Sequence, residues 1–142
     1  MLLRSCLAGV GLVLSVAASP ALSAVCMDKS MTLDEIVDAI NGTSGCGPAM
    51  KLFTDCAFGA SGDVQLGEAV EKKCEADFLG GLKGRQKKAY ASELGRCDAK
   101  YRNRSGTMYR SATAFCRAEV SERYSQKALK AGQKAPPEAK NR

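Results

Sequence analysis

The sequence predicts an all-α protein, a small disulfide-linked bundle of four or five helices followed by a disordered C-terminal tail. Two observations support this prediction. Apolar residues recur at intervals of three and four in successive segments, and no alternating apolar and polar run is long enough to indicate a sheet. In addition, six cysteines follow a leader that is typical of exported chains, in which cysteines commonly form disulfides.

The first 24 residues predict a secretory signal peptide. Arg4 precedes an apolar run over residues 7–18, and small residues surround the expected cleavage site after Ala24. As a helix this run rises about 18 Å, which is short of the roughly 30 Å hydrocarbon core of a membrane. We therefore expect a periplasmic or secreted mature protein that does not span a membrane.

Cleavage would remove Cys6 and leave six cysteines, which we expect to form three disulfides: Cys26, Cys46, Cys56, Cys74, Cys97 and Cys116. Six cysteines allow 15 pairings, and sequence alone does not choose among them. One pair is a specific hypothesis, because Cys97 and Cys116 lie on core-facing stripes of consecutive helices. Their unequal distances from the intervening turn leave an offset of about 7 Å for straight helices, which a tilt would absorb.

The folded domain is predicted over residues 25–129, and its first two helices have recognisable ends. Thr32 and Glu35 form a capping-box pattern, and apolar residues follow at helical spacing: Leu33, Ile36, Val37 and Ile40. Asn41 and Gly42 end this helix. The second helix starts around Pro48, which a first turn tolerates, and it stops in the segment FGASGD.

Three further segments complete the predicted architecture. Asp63 is the predicted N-cap of a third helix, whose apolar side contains Leu66, Val70, Cys74 and Phe78. Gly80 and Gly81 predict a break or a kink before a fourth stripe, which consists of Leu82, Gln86, Tyr90, Leu94, Cys97 and Tyr101. The last helix is predicted to bury a row at intervals of four, namely Met108, Ala112, Cys116, Val120 and Tyr124. Glu119 and Arg123 are a predicted ion pair on that helix, and residues 130–142 are a predicted disordered basic tail.

Charge is distributed unevenly along the chain. Residues 25–80 contain four lysines and ten acidic residues, a net charge of −6, whereas residues 81–124 contain eleven basic and four acidic residues, a net charge of +7. Two interpretations remain open. The two halves could pack together and interleave their charges on one surface, or the basic half could form a groove for an anionic polymer or a membrane surface.

The residue types present disfavour an enzyme. The chain has no histidine, and oxidised cysteines supply neither a thiolate nucleophile nor a metal ligand, so no catalytic or metal-binding residue and no cofactor is expected. Carboxylate pairs four residues apart, such as Asp34 with Asp38 and Glu71 with Glu75, could approach each other, but any solvated helix face shows this spacing. The basic runs lack interleaved aromatic residues, and nucleic acid is not an expected partner.

The segment over residues 82–124 resembles the LprI-like lysozyme-inhibitor family of small exported bacterial proteins. The matching positions are a leucine, a glutamine followed by an aromatic residue, two cysteines, a loop glycine and a closing arginine: Leu82, Gln86, Tyr90, Cys97, Gly106, Cys116 and Arg123. Tyr90 lies four residues after the glutamine, where the family tends to have tryptophan three residues after it. Residues 26–60 lie outside the resemblance.

The resemblance implies a helical, disulfide-linked periplasmic or secreted binding protein, with inhibition of a lysozyme-type glycosidase as its activity. Animal lysozymes are basic, so an acidic segment containing Asp34, Glu35 and Asp38 is the expected contact, together with Asp63, Glu68 and Glu71. The alternative function is that of an envelope-associated structural or stress protein. Such a protein would use the basic half and tail to bind anionic lipid or cell-wall polymer.

Overall fold

The computed structural model describes residue 26 and residues 30–134, and across this part of the chain it is all-helical. Five α-helices follow one another: α1 (Leu33–Gly42), α2 (Cys46–Cys56), α3 (Asp63–Glu75), α4 (Gly84–Tyr101) and α5 (Thr107–Lys134). The predicted all-α bundle is confirmed. The predicted signal peptide lies outside the described residues, and so does the tail from residue 135 onward.

α1 begins and ends close to its predicted limits. The backbone N–H of Thr32 donates to Glu35 Oε2 at 2.7 Å, and the backbone N–H of Glu35 donates to Thr32 Oγ1 at 3.3 Å, which completes the capping box. These bonds satisfy two amides that would otherwise lack partners at the helix start. Ile36 and Ile40 are buried one turn apart, so the capping box and the apolar stripe together place α1 against the core.

Three disulfides link the helices and the chain before them. Cys26 is bonded to Cys56, Cys46 to Cys74 and Cys97 to Cys116, with Cα atoms 5.3, 4.4 and 5.6 Å apart respectively. The first bond ties the chain before α1 to the end of α2, the second joins α2 to α3, and the third joins α4 to α5. The predicted Cys97–Cys116 pair is thus present.

The two glycines after α3 accompany a break rather than a kink. A single turn of 3₁₀ helix, Leu79–Gly81, separates α3 from α4, and Leu82 is in an extended conformation. The chain therefore reverses direction. α4 runs antiparallel to α5, since Cys97 is bonded to Cys116 whereas Glu93, earlier in α4, contacts Tyr124, later in α5.

α3 and α5 run parallel and form the principal helix pair of the bundle. A methyl group on Gly67 would lie 2.9 Å from the Cβ of Ala114, closer than side-chain carbons normally approach. Further along the same pair, Glu71 of α3 meets Arg117 of α5. A glycine facing an alanine lets the two backbones pack closely, and dense packing of this kind is sensitive to a single added carbon.

The predicted apolar row of α5 is buried only in part. Met108 is 62% exposed, whereas Val120 is buried and Tyr124 packs against the core, as Cys116 also does. The other buried residues of α5 form a row of small side chains at intervals of three and four: Ser111, Ala114, Ala118, Ser121 and Ser125. Their small side chains suit the close contact with α3. α5 also continues to Lys134, so residues 130–134 of the predicted tail are helical and the folded domain extends beyond Leu129.

Asp63 is the first residue of α3 rather than its N-cap, which is Gly62. Its carboxylate is fully buried and accepts from the backbone N–H groups of Phe58, Gly59 and Ala60 at 2.8, 2.9 and 3.3 Å. It also accepts from Ser111 Oγ at 2.6 Å. A buried carboxylate without partners would be costly, and these four hydrogen bonds supply its partners. The same bonds order the α2–α3 loop and hold the beginning of α5 against α3.

Candidate functional site

The charged groups of the described residues are candidate contacts for a ligand. Across residue 26 and residues 30–134, no three His, Cys, Asp or Glu side chains stand close enough to hold a metal ion. Over the same residues no helix is both long and apolar enough to cross a membrane. The described chain does offer exposed charges and surface grooves.

Arg117 connects the acidic and the basic halves of the chain. Its guanidinium donates to both carboxylate oxygens of Glu71 on α3, from Nε at 3.0 Å and from Nη2 at 2.8 Å, and its Nη1 donates to Asp98 of α4 at 2.9 and 3.1 Å. Burial acts to lower the pKa of Arg117, but the hydrogen bonds and charges of Glu71 and Asp98 outweigh burial and raise it. Sequence patterns did not single out this arginine, because its partners lie on two other helices.

Tyr90 forms a second polar cluster within the core. Its hydroxyl lies 2.8 Å from Ser121 Oγ and donates to Glu75 Oε1 at 3.0 Å. Burial raises the pKa of Tyr90 well above its usual value, and the neighbouring carboxylate of Glu75 adds to that shift. Since Glu71 binds Arg117 and Glu75 binds Tyr90, both members of this carboxylate pair have structural partners.

Arg123 pairs with Glu93 of α4, and the predicted pairing with Glu119 was wrong. Glu93 Oε1 also accepts from the hydroxyl of Tyr124 at 2.7 Å. The Tyr124 hydrogen bond is the main reason that the pKa of Glu93 is lowered, and Arg123 contributes to the shift. The interhelical pair forms because Glu93 and Arg123 meet across the antiparallel α4–α5 contact.

The three acidic residues predicted to contact a partner are all exposed on α1. Glu35 is already engaged in the capping box, and the backbone hydrogen bond from Thr32 is the main cause of its lowered pKa. Within the described part of the chain, Asp34 and Asp38 form no ion pair. Asp34 and Asp38 are therefore the part of this prediction that remains available to a ligand.

The rest of the predicted acidic segment does not form one surface. Asp63 is fully buried and Glu71 is bound to Arg117, so neither offers its charge to a partner protein. Glu68 remains exposed on α3. The acidic surface is consequently smaller than the sequence suggested, and it is concentrated on α1.

Exposed cations form a larger surface on α4 and the turn after it. We define the basic face by its six exposed residues: Arg85, Lys88, Arg96, Lys100, Arg102 and Arg104. Over the described residues none of the six is in an ion pair. Arg85 and Lys100 are fifteen residues apart on one helix, which corresponds to about 22 Å along its axis. Lys100 and Arg104 also lie over the rings of Tyr101 and Tyr109, at 5.1 and 5.9 Å from the ring centres.

The two charged surfaces are on different parts of the bundle. α1 packs against α2 and α3, whereas α4 packs principally against α5. Arg117 and Arg123 neutralise acidic groups at helix contacts, but the six cations of the basic face do not. Acidic and basic side chains of the two halves are therefore paired only where the described helices touch, and the exposed charges of α1 and α4 form separate surfaces.

The residues of the family resemblance separate into two groups. Tyr90 and Cys97 are buried where α4 meets α5, Cys116 completes the disulfide, and Arg123 binds Glu93 across the same contact. Gly106 lies in the turn with a φ of 112°, a conformation that favours glycine. The other two positions, Leu82 and Gln86, line an open surface groove.

We call this the α4–α5 groove. It encloses about 510 Å³ between the 3₁₀ turn, the start of α4 and the end of α5, and its lining comprises Asp77, Phe78, Gly81, Leu82, Gln86, Ala89, Tyr124, Lys127, Ala128 and Ala131. Its volume is in the range of small-molecule sites. The sequence patterns named several of these residues but did not indicate a cavity among them.

Comparisons of the chain with protein-family models, with curated proteins and with solved structures find no match.

Proposed function

We propose that the chain is an exported, non-enzymatic binding protein that holds an anionic polymer of the cell envelope on its basic face. The single observation behind this proposal is the row of exposed cations along α4 that lacks carboxylate partners in the described chain. A linear polyanion can contact charges spread over about 22 Å at once, whereas a compact anion contacts only one or two of them. Several weak contacts on one polymer then combine into useful affinity.

Three disulfides are consistent with export, because such bonds persist in oxidising compartments and are rare in the cytosol. They also make the basic face a fixed surface. The Cys97–Cys116 bond holds α4 to α5 toward the C-terminal end of α4, and Arg117 adds a contact to Asp98 one residue later. Four of the six cations are therefore presented on a helix that is tied to its neighbour: Arg85, Lys88, Arg96 and Lys100.

The test is a binding titration of the oxidised protein with long-chain polyphosphate, a probe for phosphate-rich envelope polymers. The variant Lys88→Glu/Arg96→Glu changes the net charge by −4 on the basic face. Its matched control, Lys72→Glu/Lys130→Glu, makes the same change at exposed lysines on α3 and α5. We expect the first variant to weaken binding at least ten-fold at 0.1 M salt and the control to weaken it less than three-fold. Equal losses in both variants would contradict a specific basic face.

Salt dependence separates this function from insertion into a cleft. The screening length falls from about 10 Å at 0.1 M to about 3 Å at 1 M salt. Polymer binding through exposed cations is therefore expected to be lost at 1 M salt. Retention of full affinity at that concentration would exclude the basic face as the main contact.

Inhibition of a lysozyme-type glycosidase is the second candidate function. The observation that favours it is the exposed pair Asp34 and Asp38, which forms no ion pair within the described residues. Opposite charges across an interface accelerate association and favour the correct partner. A cell-wall lysis assay with several lysozymes tests this function. Inhibition by the oxidised protein that is lost in Asp34→Lys/Asp38→Lys at low salt would support it, and no inhibition at a large molar excess would exclude it.

A further inference from the structure

The α4–α5 groove has room because short side chains line it on facing elements. Ala89 of α4 and Ala128 and Ala131 of α5 each contribute only a methyl group, and Gly81 contributes no side chain at all. Phe78 and Leu82 extend the carbon surface along the 3₁₀ turn. Phe78 is fixed in place, since it is buried and its ring packs edge-on against Tyr90 at 5.0 Å between ring centres. The apolar part of the groove is therefore bordered by small side chains and by one ring that is held in place.

Polar side chains also line the groove. Gln86 Oε1 accepts from the backbone N–H of Lys83 at 2.9 Å, which fixes the amide and leaves its Nε2 group as a donor. The ammonium of Lys127 lies 5.4 Å from the centre of the Tyr124 ring, and it forms no ion pair among the described residues. Both groups can donate hydrogen bonds to a ligand at the mouth of the groove.

The acidic groups near the groove form hydrogen bonds of their own, although Asp77 keeps its negative charge because its partner is neutral. Asp77 accepts a hydrogen bond from Ser125 Oγ. Glu93 binds Arg123 and Tyr124, and the charge of Lys127 helps to lower its pKa. The first amides of α4, just after Lys83, have no acceptor within their own helix and favour negative charge in the same region. A ligand head group can therefore be bound by the charge of Lys127 and by the donors of Gln86 and α4, while Asp77 is the one carboxylate among the described residues of the lining.

We propose that the α4–α5 groove is a binding site for an amphiphile with one aliphatic chain and one anionic head group. The chain lies along the methyl groups and against Phe78 and Leu82, and the head group is bound by Lys127 and Gln86. A hydrocarbon chain matches the apolar chemistry of these side chains. This site is separate from the basic face and does not depend on polymer binding.

The test uses decanoate and the neutral decan-1-ol as probes, titrated below their aggregation limits into the oxidised full chain. Burial of one methylene contributes about 0.8 kcal/mol, or roughly a four-fold gain in affinity, so decanoate is expected to bind up to sixteen-fold more tightly than octanoate. Decanoate is expected to bind at least five-fold more tightly than decan-1-ol. Absence of decanoate binding, or equal affinity for the two ten-carbon probes, would overturn the proposal.

Two variants locate the site. Lys127→Glu is expected to weaken decanoate binding at least five-fold and to leave the affinity for decan-1-ol unchanged. Lys130→Glu, about one turn further along α5 and outside the lining, is expected to change neither affinity. Ala131→Trp fills the groove at an exposed position and is expected to weaken both probes at least ten-fold. Its control is Ala99→Trp on the outer side of α4. Unchanged binding in Ala131→Trp would place the ligand elsewhere and overturn the proposal.

The same variants distinguish other occupants and other functions. If decanoate does not bind and Ala131→Trp instead changes the oligomeric state in gel filtration, the groove is an interface between copies of the chain, and the proposal is overturned. Lys88→Glu/Arg96→Glu is expected to leave decanoate binding unchanged. Loss of decanoate binding in that variant would mean that the probe is held by the basic face, which also overturns the proposal.

Discussion

Replacement of the buried carboxylate of Asp63 is expected to be strongly destabilising. The carboxylate accepts four hydrogen bonds from Phe58, Gly59, Ala60 and Ser111. In Asp63→Asn, the amide oxygen can keep at most the three bonds made by Oδ2, while the amide NH₂ faces the N–H of Phe58, so that two donors oppose each other. The replacement is nearly isosteric, so the loss reports hydrogen bonding rather than a cavity.

The size of the loss follows from the hydrogen-bond inventory. A hydrogen bond to a charged group contributes about 1.5–3 kcal/mol and a neutral one about 0.5–1.5 kcal/mol, so one lost bond and three weakened bonds amount to about 5 kcal/mol. Relief from burying a charge offsets part of this. We therefore expect about 3 kcal/mol of lost stability, or about 12 °C in Tm for a domain of this size.

Urea unfolding of the oxidised protein, followed by far-UV circular dichroism, measures this loss. The control is Asp38→Asn, which changes an exposed aspartate on α1 and is expected to alter the free energy of unfolding by less than about 0.5 kcal/mol. An Asp63→Asn variant as stable as the control would refute the structural role of the buried carboxylate. Unchanged denaturant slopes are required for the comparison to hold.

Three further predictions concern the contacts between helices. Gly67→Ala adds a methyl group 2.9 Å from the Cβ of Ala114 and is expected to destabilise the protein by about 1–2 kcal/mol, although alanine has the higher helix propensity. Adding Ala114→Gly to this variant is expected to restore more stability than the sum of the two single changes predicts. Additive effects of the two changes would contradict the close packing. Arg117→Met removes the partner of two carboxylates and is expected to lower the free energy of unfolding in urea by about 2 kcal/mol. The loss is expected to be smaller in a protein that already carries Glu71→Gln, because one of the two carboxylates is then absent. Equal losses in both proteins would rule out the coupling. The pKa of Glu93 is lower in the folded than in the unfolded state, so its carboxylate stabilises the fold above its unfolded pKa, and this stabilisation is lost as the pH falls through the folded pKa. The difference in unfolding free energy between the unmodified protein and Glu93→Gln should therefore shrink on acidification. A difference that stays constant with pH would contradict this prediction.

Sequence patterns predicted the outer architecture well where large apolar residues or strong end signals decide it. The capping box at Thr32 and Glu35 set the start of α1, and the stripe through Leu66, Val70 and Cys74 is buried as expected. The paired glycines after α3 indicated an interruption, and the structure resolves it as a break. These features depend on residues within one or two helical turns of each other, which a sequence displays directly.

The inner packing could not be predicted in the same way. The apolar pattern placed Met108 in the core of α5, but the buried row contains serine and alanine because close contact with Gly67 selects for small size rather than hydrophobicity. Arg123 pairs with Glu93, thirty residues earlier, instead of its neighbour Glu119. Such partners follow from the way the helices are arranged, which is not visible in local spacing.

The candidate surfaces were predicted only in part, because the sequence does not show which charged residues are paired between helices. Exposed charges on α1 and α4 followed from helical spacing, but the removal of Asp63 and Glu71 from the acidic surface required knowledge of their partners. The α4–α5 groove depends on small residues from three elements, and those of α5, Ala128 and Ala131, lie far along the chain from Gly81 and Ala89. A sequence indicates which residues carry charge more readily than which of them remain available to a ligand.

The central claim is that the chain acts through separate charged surfaces and that the basic face of α4 is the one that binds. Its most direct test measures two ligands, polyphosphate and a basic animal lysozyme, against two variants of the oxidised protein at 0.1 M salt: Lys88→Glu/Arg96→Glu and Asp34→Lys/Asp38→Lys. We expect polyphosphate binding to fall at least ten-fold in the first variant and to stay equal or increase in the second. Unimpaired polyphosphate binding in the first variant would contradict the claim, and a tight lysozyme complex that only the second variant loses would assign the function to α1 instead.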